Sequence, residues 1–287
     1  MPIMELNTRA PTFLLTSFMG LEKAHHWISI PLSVIQIAIL HGNGILLFLI
    51  RVDHNLHEPM YYFLAMLATT DLGMTLVTMP TVLCAMWTNH REISHGSCFC
   101  QACFIHTFSV IESGILLAKA YDQFVAIHNP LRYTSILTNT QMIKIGVGVF
   151  MKGFTVILPP IFPLDWFSYC RSHFLSHAFC LHQDVIKLAC ADITFNCLYP
   201  IVMVFSMVLM DCLIIFCFYI LILKTVMSIA SGEEESKALN KCASHICCIL
   251  VFYVTVLVWH SSTDLGRNVP HLVHITNSYI YFLSLLL

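Results

Sequence analysis

Two carboxylic acids stand where charge is expensive. Asp71 lies within Leu-Ala-Thr-Thr-Asp-Leu and Glu112 within Val-Ile-Glu-Ser-Gly-Ile-Leu-Leu, each deep inside a long apolar run. An unpaired charge at such a depth costs about 2.5–3.5 kcal/mol even on the gentlest scale. Sharing a cation or a proton would relieve that cost, and so would hydrogen bonds to neighbours such as Asn43. A hydrolytic dyad is not implied, because nothing brings water and substrate to this depth. A second group closes the same apolar run as Glu112: Lys119, Asp122 and Gln123, followed by the turn Asn-Pro-Leu-Arg132. Lys119 precedes Gln123 by one helical turn and could supply a cation there. A third group is thiols: Cys98, Cys170, Cys180 and Cys190.

These residues need elements to hold them, and composition says which. At 57% hydrophobic and 10% charged, with a mean hydropathy of +0.77, a soluble chain would have too few polar side chains to cover its surface. Seven apolar runs reach the roughly 20 residues a bilayer span requires: 27–50, 60–87, 100–121, 142–163, 196–223, 242–259 and 270–287. They lack period-two alternation, so helices rather than barrel strands are expected. The expectation is an all-α membrane protein, one domain over 1–287, with the lipid bilayer as its solvent. The start has no basic head and apolar core of a cleavable signal, so the first span reads as an uncleaved anchor. A net charge of −2 gives no nucleic-acid footprint.

Lys and Arg do not orient the bundle. Arg51, Arg132, Lys144, Lys224, Lys237 and Lys241 fall on one side, and Arg9, Lys23, Arg91, Arg171, Lys187 and Arg267 on the other. The cysteines do orient it. Cys98 and the three in the long loop after the fourth span share one side, which favours an oxidising exterior and two disulfides. Four cysteines permit three pairings, and spacing does not choose among them. The other nine lie mostly in spans and read as small buried apolar side chains.

The run Lys119-Ala-Tyr-Asp-Gln-Phe-Val-Ala-Ile-His-Asn-Pro-Leu-Arg-Tyr133 resembles the inner end of the third helix of odorant receptors, a branch of the rhodopsin-like G-protein-coupled receptors. Gly42-Asn43, His57-Glu-Pro-Met-Tyr-Tyr-Phe-Leu64 and Lys237-Ala-Leu-Asn-Lys-Cys-Ala-Ser-His245 extend the likeness along the chain. Glu112-Ser-Gly-Ile-Leu-Leu and Pro270-His-Leu-Val-His-Ile resemble the fish-like class I branch. The resemblance implies a seven-helix bundle in the plasma membrane with an extracellular amino end, a small volatile odorant as ligand and a stimulatory olfactory G protein as partner. It implies Cys98–Cys180 and Cys170–Cys190 pairing, and sodium at Asp71 and Glu112; no other cofactor is expected. Helical spacing from Cys98 places Phe99, Cys103, His106, Thr107 and Val110 near one stripe pointing into the bundle, and His106 is similar to the family's pocket histidine. Asp264 stands where acid-detecting members carry a basic residue, and His260 lies a turn deeper. An acidic ligand is therefore disfavoured.

Lys119, Asp122, Gln123 and Arg132 would face the G protein, and here the chain departs from the family. Gln123 replaces its Arg, Lys119 its Met, and His128 its Cys. Thr255 replaces the kinking Pro of helix six. The last run ends at Leu287 without an N-P-x-x-Y motif, so a seventh helix truncated at its carboxyl end is expected. These departures leave a receptor remnant that no longer couples as the alternative to a signalling receptor. A small multi-span transporter would show internal repeats, and none is present. An enzyme is not expected.

Overall fold

A computed structural model describes residues 12–15, 25–88, 91–169, 174–175, 177–229 and 233–264. Six helices in that set are long and apolar enough to cross a bilayer. They are α1 (His25–Val52), α2 (Pro59–Trp87), α3 (His95–His128), α5 (Asn139–Ile161), α7 (Thr194–Ile229) and α8 (Glu233–Asp264). Short helices α4 (Tyr133–Ile136) and α6 (His182–Ile186) sit in connections. The expected seventh span, 270–287, lies outside the described residues.

Capping chemistry starts the helices where the chain must turn. Pro59 opens α2, where a missing N–H costs nothing. Ser94 caps α3 by accepting from Ser97 N, and Thr138 caps α5 by accepting from Gln141 N. At 34 residues, α3 extends well beyond the expected 100–121, because its helix continues into the polar ends on both sides. α5 stops after Pro159-Pro160, where the chain tightens into a 3-10 turn, Phe162–Trp166.

α3 is the axis of the bundle: 61% of its most apolar stretch is buried in protein, against 11% for α7. α7 instead presents Phe205, Leu209, Met210, Leu213 and Phe216 outward, as a helix facing lipid should. Close approach at the axis needs glycine. A Cβ on Gly153 of α5 would stand 2.9 Å from Ile111 Cγ1 and 3.2 Å from the Thr107 carbonyl of α3.

The outer face carries something the helical expectation omitted. Strand β1 (Thr12–Leu15) pairs antiparallel with β2 (Glu92–Ser94) and parallel with β3 (Phe174–Leu175), in the order β2-β1-β3. Three short pairings are invisible to periodicity, since strands of two to four residues show no pattern. Phe13 is fully buried by this sheet, stacked on His95 at 4.2 Å and edge-on to Tyr169 at 5.4 Å.

The reading of the spare cysteines as buried is corrected. Among the nine, Cys84, Cys100, Cys197, Cys217 and Cys247 are exposed, Cys103, Cys212 and Cys248 half-buried, and only Cys242 is buried. In a bilayer, a small apolar side chain is equally at home facing lipid.

Candidate functional site: a capped cavity between helices

A partly open space of about 110 Å³ lies between α3, α5, α7 and α8 under the loop that follows α5. His106, Ser109, Val110 and Ser113 of α3 line it, with Val156 and Ile157 of α5, Met203 and Met207 of α7, and Phe252 and Tyr253 of α8. Leu181, His182 and Gln183 close it from above. No Asp, Glu, Lys or Arg side chain lines it among the described residues.

Of the expected stripe, His106 and Val110 face the cavity, whereas Cys103 and Thr107 do not. Cys103 packs against the outer core around Leu164 and Tyr169. Thr107 is fully buried where α3 meets Gly153 of α5. Helical spacing finds the face correctly, but at 100° per residue a five-residue stripe spreads past one cavity. His260 and Asp264 belong to the last turns of α8, and their side chains lie outside the described part.

The cap is tied to α3 twice. A disulfide joins Cys98 to Cys180, and the Gln101 side chain accepts from Cys180 N at 2.8 Å while donating to the Val77 carbonyl and to Thr81 Oγ1, both at 2.8 Å. Within the cap, His177 Nδ1 meets Asp184 Oδ2 at 2.5 Å, both side chains buried. Cys190 is also disulfide-bonded, and Cys170 lies outside the described residues. His182 is brought edge-on to His106, with ring centroids 6.5 Å apart. Neither His182 nor Gln183 was expected at the site, because loop residues carry no periodicity that reveals which way they face.

Behind the floor, outside the lining itself, lies a carboxylate that the sequence reading passed over. Asp211 Oδ2 accepts from Ser113 Oγ at 2.5 Å and from the Tyr253 hydroxyl at 3.3 Å, and Oδ1 lies 3.9 Å from Lys152 Nζ. This joins α3, α5, α7 and α8 beneath the cavity. The signal was available: Asp211 is the only acid in the 36 residues of α7, and an intramembrane acid is costly unless it has a role.

Asp71 and Glu112 are both buried and interact electrostatically across α2 and α3. Asn43 of α1 hydrogen-bonds Asp71, but Asp71 Oδ1 is sealed from solvent and accepts no hydrogen bond. A sodium ion at this pair would compete with a charge that the chain itself carries. The half-buried Lys119 already acts on Asp71 electrostatically, although the two form no direct ion pair.

Comparison with known proteins agrees with this architecture. The olfactory receptor family model matches residues 32–286. The chain is 69% identical to olfactory receptor 51B6 of Homo sapiens over 98% of its own length and 90% of that protein's. It is 65% identical to human olfactory receptor 51B5, over 94% and 87% of the two chains, and 49% identical to human olfactory receptor 51G2, over 95% and 87%. The chain belongs to the olfactory receptor family. It is accordingly a multi-pass membrane protein and a G-protein-coupled receptor of the class I, 51-like kind, not an enzyme.

The inner face of this receptor is rebuilt around its substitutions. Asp122 Oδ1 accepts from the Tyr133 hydroxyl at 2.7 Å, so its partner is the helical turn after Arg132, not residue 123. Burial and this hydrogen bond both push the Tyr133 phenol above its ordinary value. Arg132 itself is exposed in a 3-10 turn. Gln123 Oε1 accepts from the Tyr219 hydroxyl of α7 at 2.8 Å, and that same hydroxyl lies 2.6 Å from Nδ1 of His245 on α8. Because Tyr219 donates to Gln123, Nδ1–H of His245 donates to Tyr219. Three helices are thereby joined by neutral groups where the family uses a guanidinium. Thr255 Oγ1 donates to the Val251 carbonyl at 2.6 Å, satisfying itself inside an uninterrupted α8.

Proposed function

We propose that this receptor sits in the plasma membrane with its amino end outside, takes small neutral or amine-bearing volatiles into the capped cavity, and signals through a stimulatory olfactory G protein. The carrying observation is the cavity lining: apolar side chains from four helices, a few hydrogen-bonding groups in His106, His182, Gln183 and Ser109, and no charged side chain among the described residues. A carboxylate ligand would lose its hydration there without gaining a cation. Size argues for small ligands too. The space, about 110 Å³, is somewhat below the ~150 Å³ apolar cavity that accepts benzene, so it suits compact odorants and a larger one needs the lining to move. The orientation is supported by the Cys98–Cys180 disulfide on the side of the cap, since such bonds persist in oxidising compartments.

The same loop that supplies the cap supplies selectivity. Its backbone is pinned by the disulfide and Gln101, so His182 and Gln183 are presented rather than free to adapt. A panel of small alcohols, ketones, amines and carboxylic acids, read out by cyclic AMP in cells displaying the full chain, tests the proposal. Responses should favour neutral and amine ligands, and His106→Ala should weaken them by about tenfold or more, the worth of one hydrogen bond in a dry site. A best response to carboxylic acids would overturn the ligand reading.

A further inference from the structure

The Asp71–Glu112 pair poses a charge problem that the rest of the molecule answers from within. Two like charges at this depth cannot both be carried, so one negative charge remains to be balanced. Asp71 Oδ1, buried and accepting no hydrogen bond, marks where the balance is missing. Lys119 lies on the same face of α3 as Glu112, two turns further in, a rise of about 10 Å. Helical side chains lean toward the amino end of their helix, so the lysine stem is aimed back toward the level of the carboxylates. Lys119 acts electrostatically on Cys248 of α8 and on Asp122 one turn below, and from the same place on Asp71 as well.

We propose that the Lys119 ammonium is this receptor's own counter-cation for the Asp71–Glu112 pair, and that it keeps sodium out. A second cation beside it would be repelled in a low-dielectric interior, whereas a tethered one carries no entropy of binding and does not depend on salt. Lys119 is then a functional replacement for the family's Met, not a stray charge. The assignment does not rest on the ligand reading above, because it concerns a different depth of the bundle.

The test is thermal unfolding of the purified full chain in phosphatidylcholine nanodiscs, comparing sodium chloride with N-methylglucamine chloride at equal ionic strength. The native chain should show no sodium-specific shift. Lys119→Met should gain a saturable upward shift in Tm with sodium, as a ligand bound only to the folded state requires, and adding Asp71→Asn should abolish it. Lys119→Gln serves the same comparison if the Met variant does not fold. A sodium-specific shift in the native chain would overturn the proposal with no variant needed. Sodium indifference in both the native chain and the lysine variants would overturn it equally, since Lys119 would then be displacing nothing.

Discussion

The outer and inner halves of this receptor are held together by different kinds of force. Outside, a covalent bond, a three-stranded sheet and a side-chain amide bridging to main-chain groups fix the cap over the cavity. Inside, no disulfide or sheet is found among the described residues: apolar packing around Ile222 and Val125 and side-chain hydrogen bonds join the helices, Asp122 to Tyr133, Gln123 to Tyr219, Tyr219 to His245, and His128 Nδ1 to Thr225 Oγ1 at 3.0 Å. The contrast teaches where each half can change. A cavity that must present fixed chemistry is strapped, whereas an end that must open is latched by contacts a small free energy can exchange. The inner latch here is neutral, which distinguishes this chain from family members that place an arginine at 123.

Breaking the strap should produce the largest effect. Cys98→Ser opens a link across 82 residues, worth roughly 4 kcal/mol in the chain-entropy treatment. Surface display and Tm in nanodiscs should both fall sharply. Survival of both would show that the sheet and Gln101 hold the cap unaided.

Next comes the amide that reinforces the strap. Gln101→Leu leaves Cys180 N without its acceptor in a buried site, a loss of about 1–3 kcal/mol. Hydrogen exchange should rise in residues 177–188 and stay unchanged at the inner ends. Equal change at both ends would mean that the two halves are not separable.

Tyr219→Phe probes the inner latch while keeping its ring in place. Losing bonds to Gln123 and His245 should cost about 1–2 kcal/mol, seen as faster exchange in residues 238–248 of α8 with the cap unaffected. Gln123→Arg alone should leave odorant-driven cyclic AMP near the native level, because Asp122 is already engaged by Tyr133. A strong, dose-dependent gain from that single change would show that residue 123 governs coupling alone.

The smallest effect belongs to an exposed turn at the outer end of α7. Asp192 accepts from the Thr194 hydroxyl at 2.6 Å and from Thr194 N at 3.0 Å, which holds its carboxyl below the ordinary value. A depressed carboxyl contributes stability that is complete above its unfolded value of about 3.9 and is lost as pH falls through the lower folded one. Asp192→Asn should therefore remove a slight acid-side dependence of Tm and leave neutral-pH stability nearly unchanged. An unaltered acid-side profile would show that the turn contributes nothing to folding.

Much of this molecule was legible in its residues because the information is local. Apolar runs long enough to span a bilayer identify the six described spans, and a stripe counted from Cys98 finds His106 and Val110 on the cavity wall. Asp211 could have been found the same way, as a single acid in an apolar helix. What local pattern cannot give is a partner. Cys103 and Thr107 share the stripe yet face the outer core and α5, and nothing in their spacing says so.

The sequence by itself determined the family, the membrane class and the sidedness of the thiols, since each follows from composition, run length and motif order along the chain. Only the tertiary structure decided that Ser113 meets Asp211 across 98 residues and that Gln123 meets Tyr219 across 96. It alone places His182 against His106 under the cap and leaves Asp71 Oδ1 buried with no hydrogen bond. The physical reason is that helix formation is set by neighbours a turn away, whereas the pairing of polar groups in a dry interior depends on how helices rotate and approach, which glycines such as Gly153 and the strapped loop determine together.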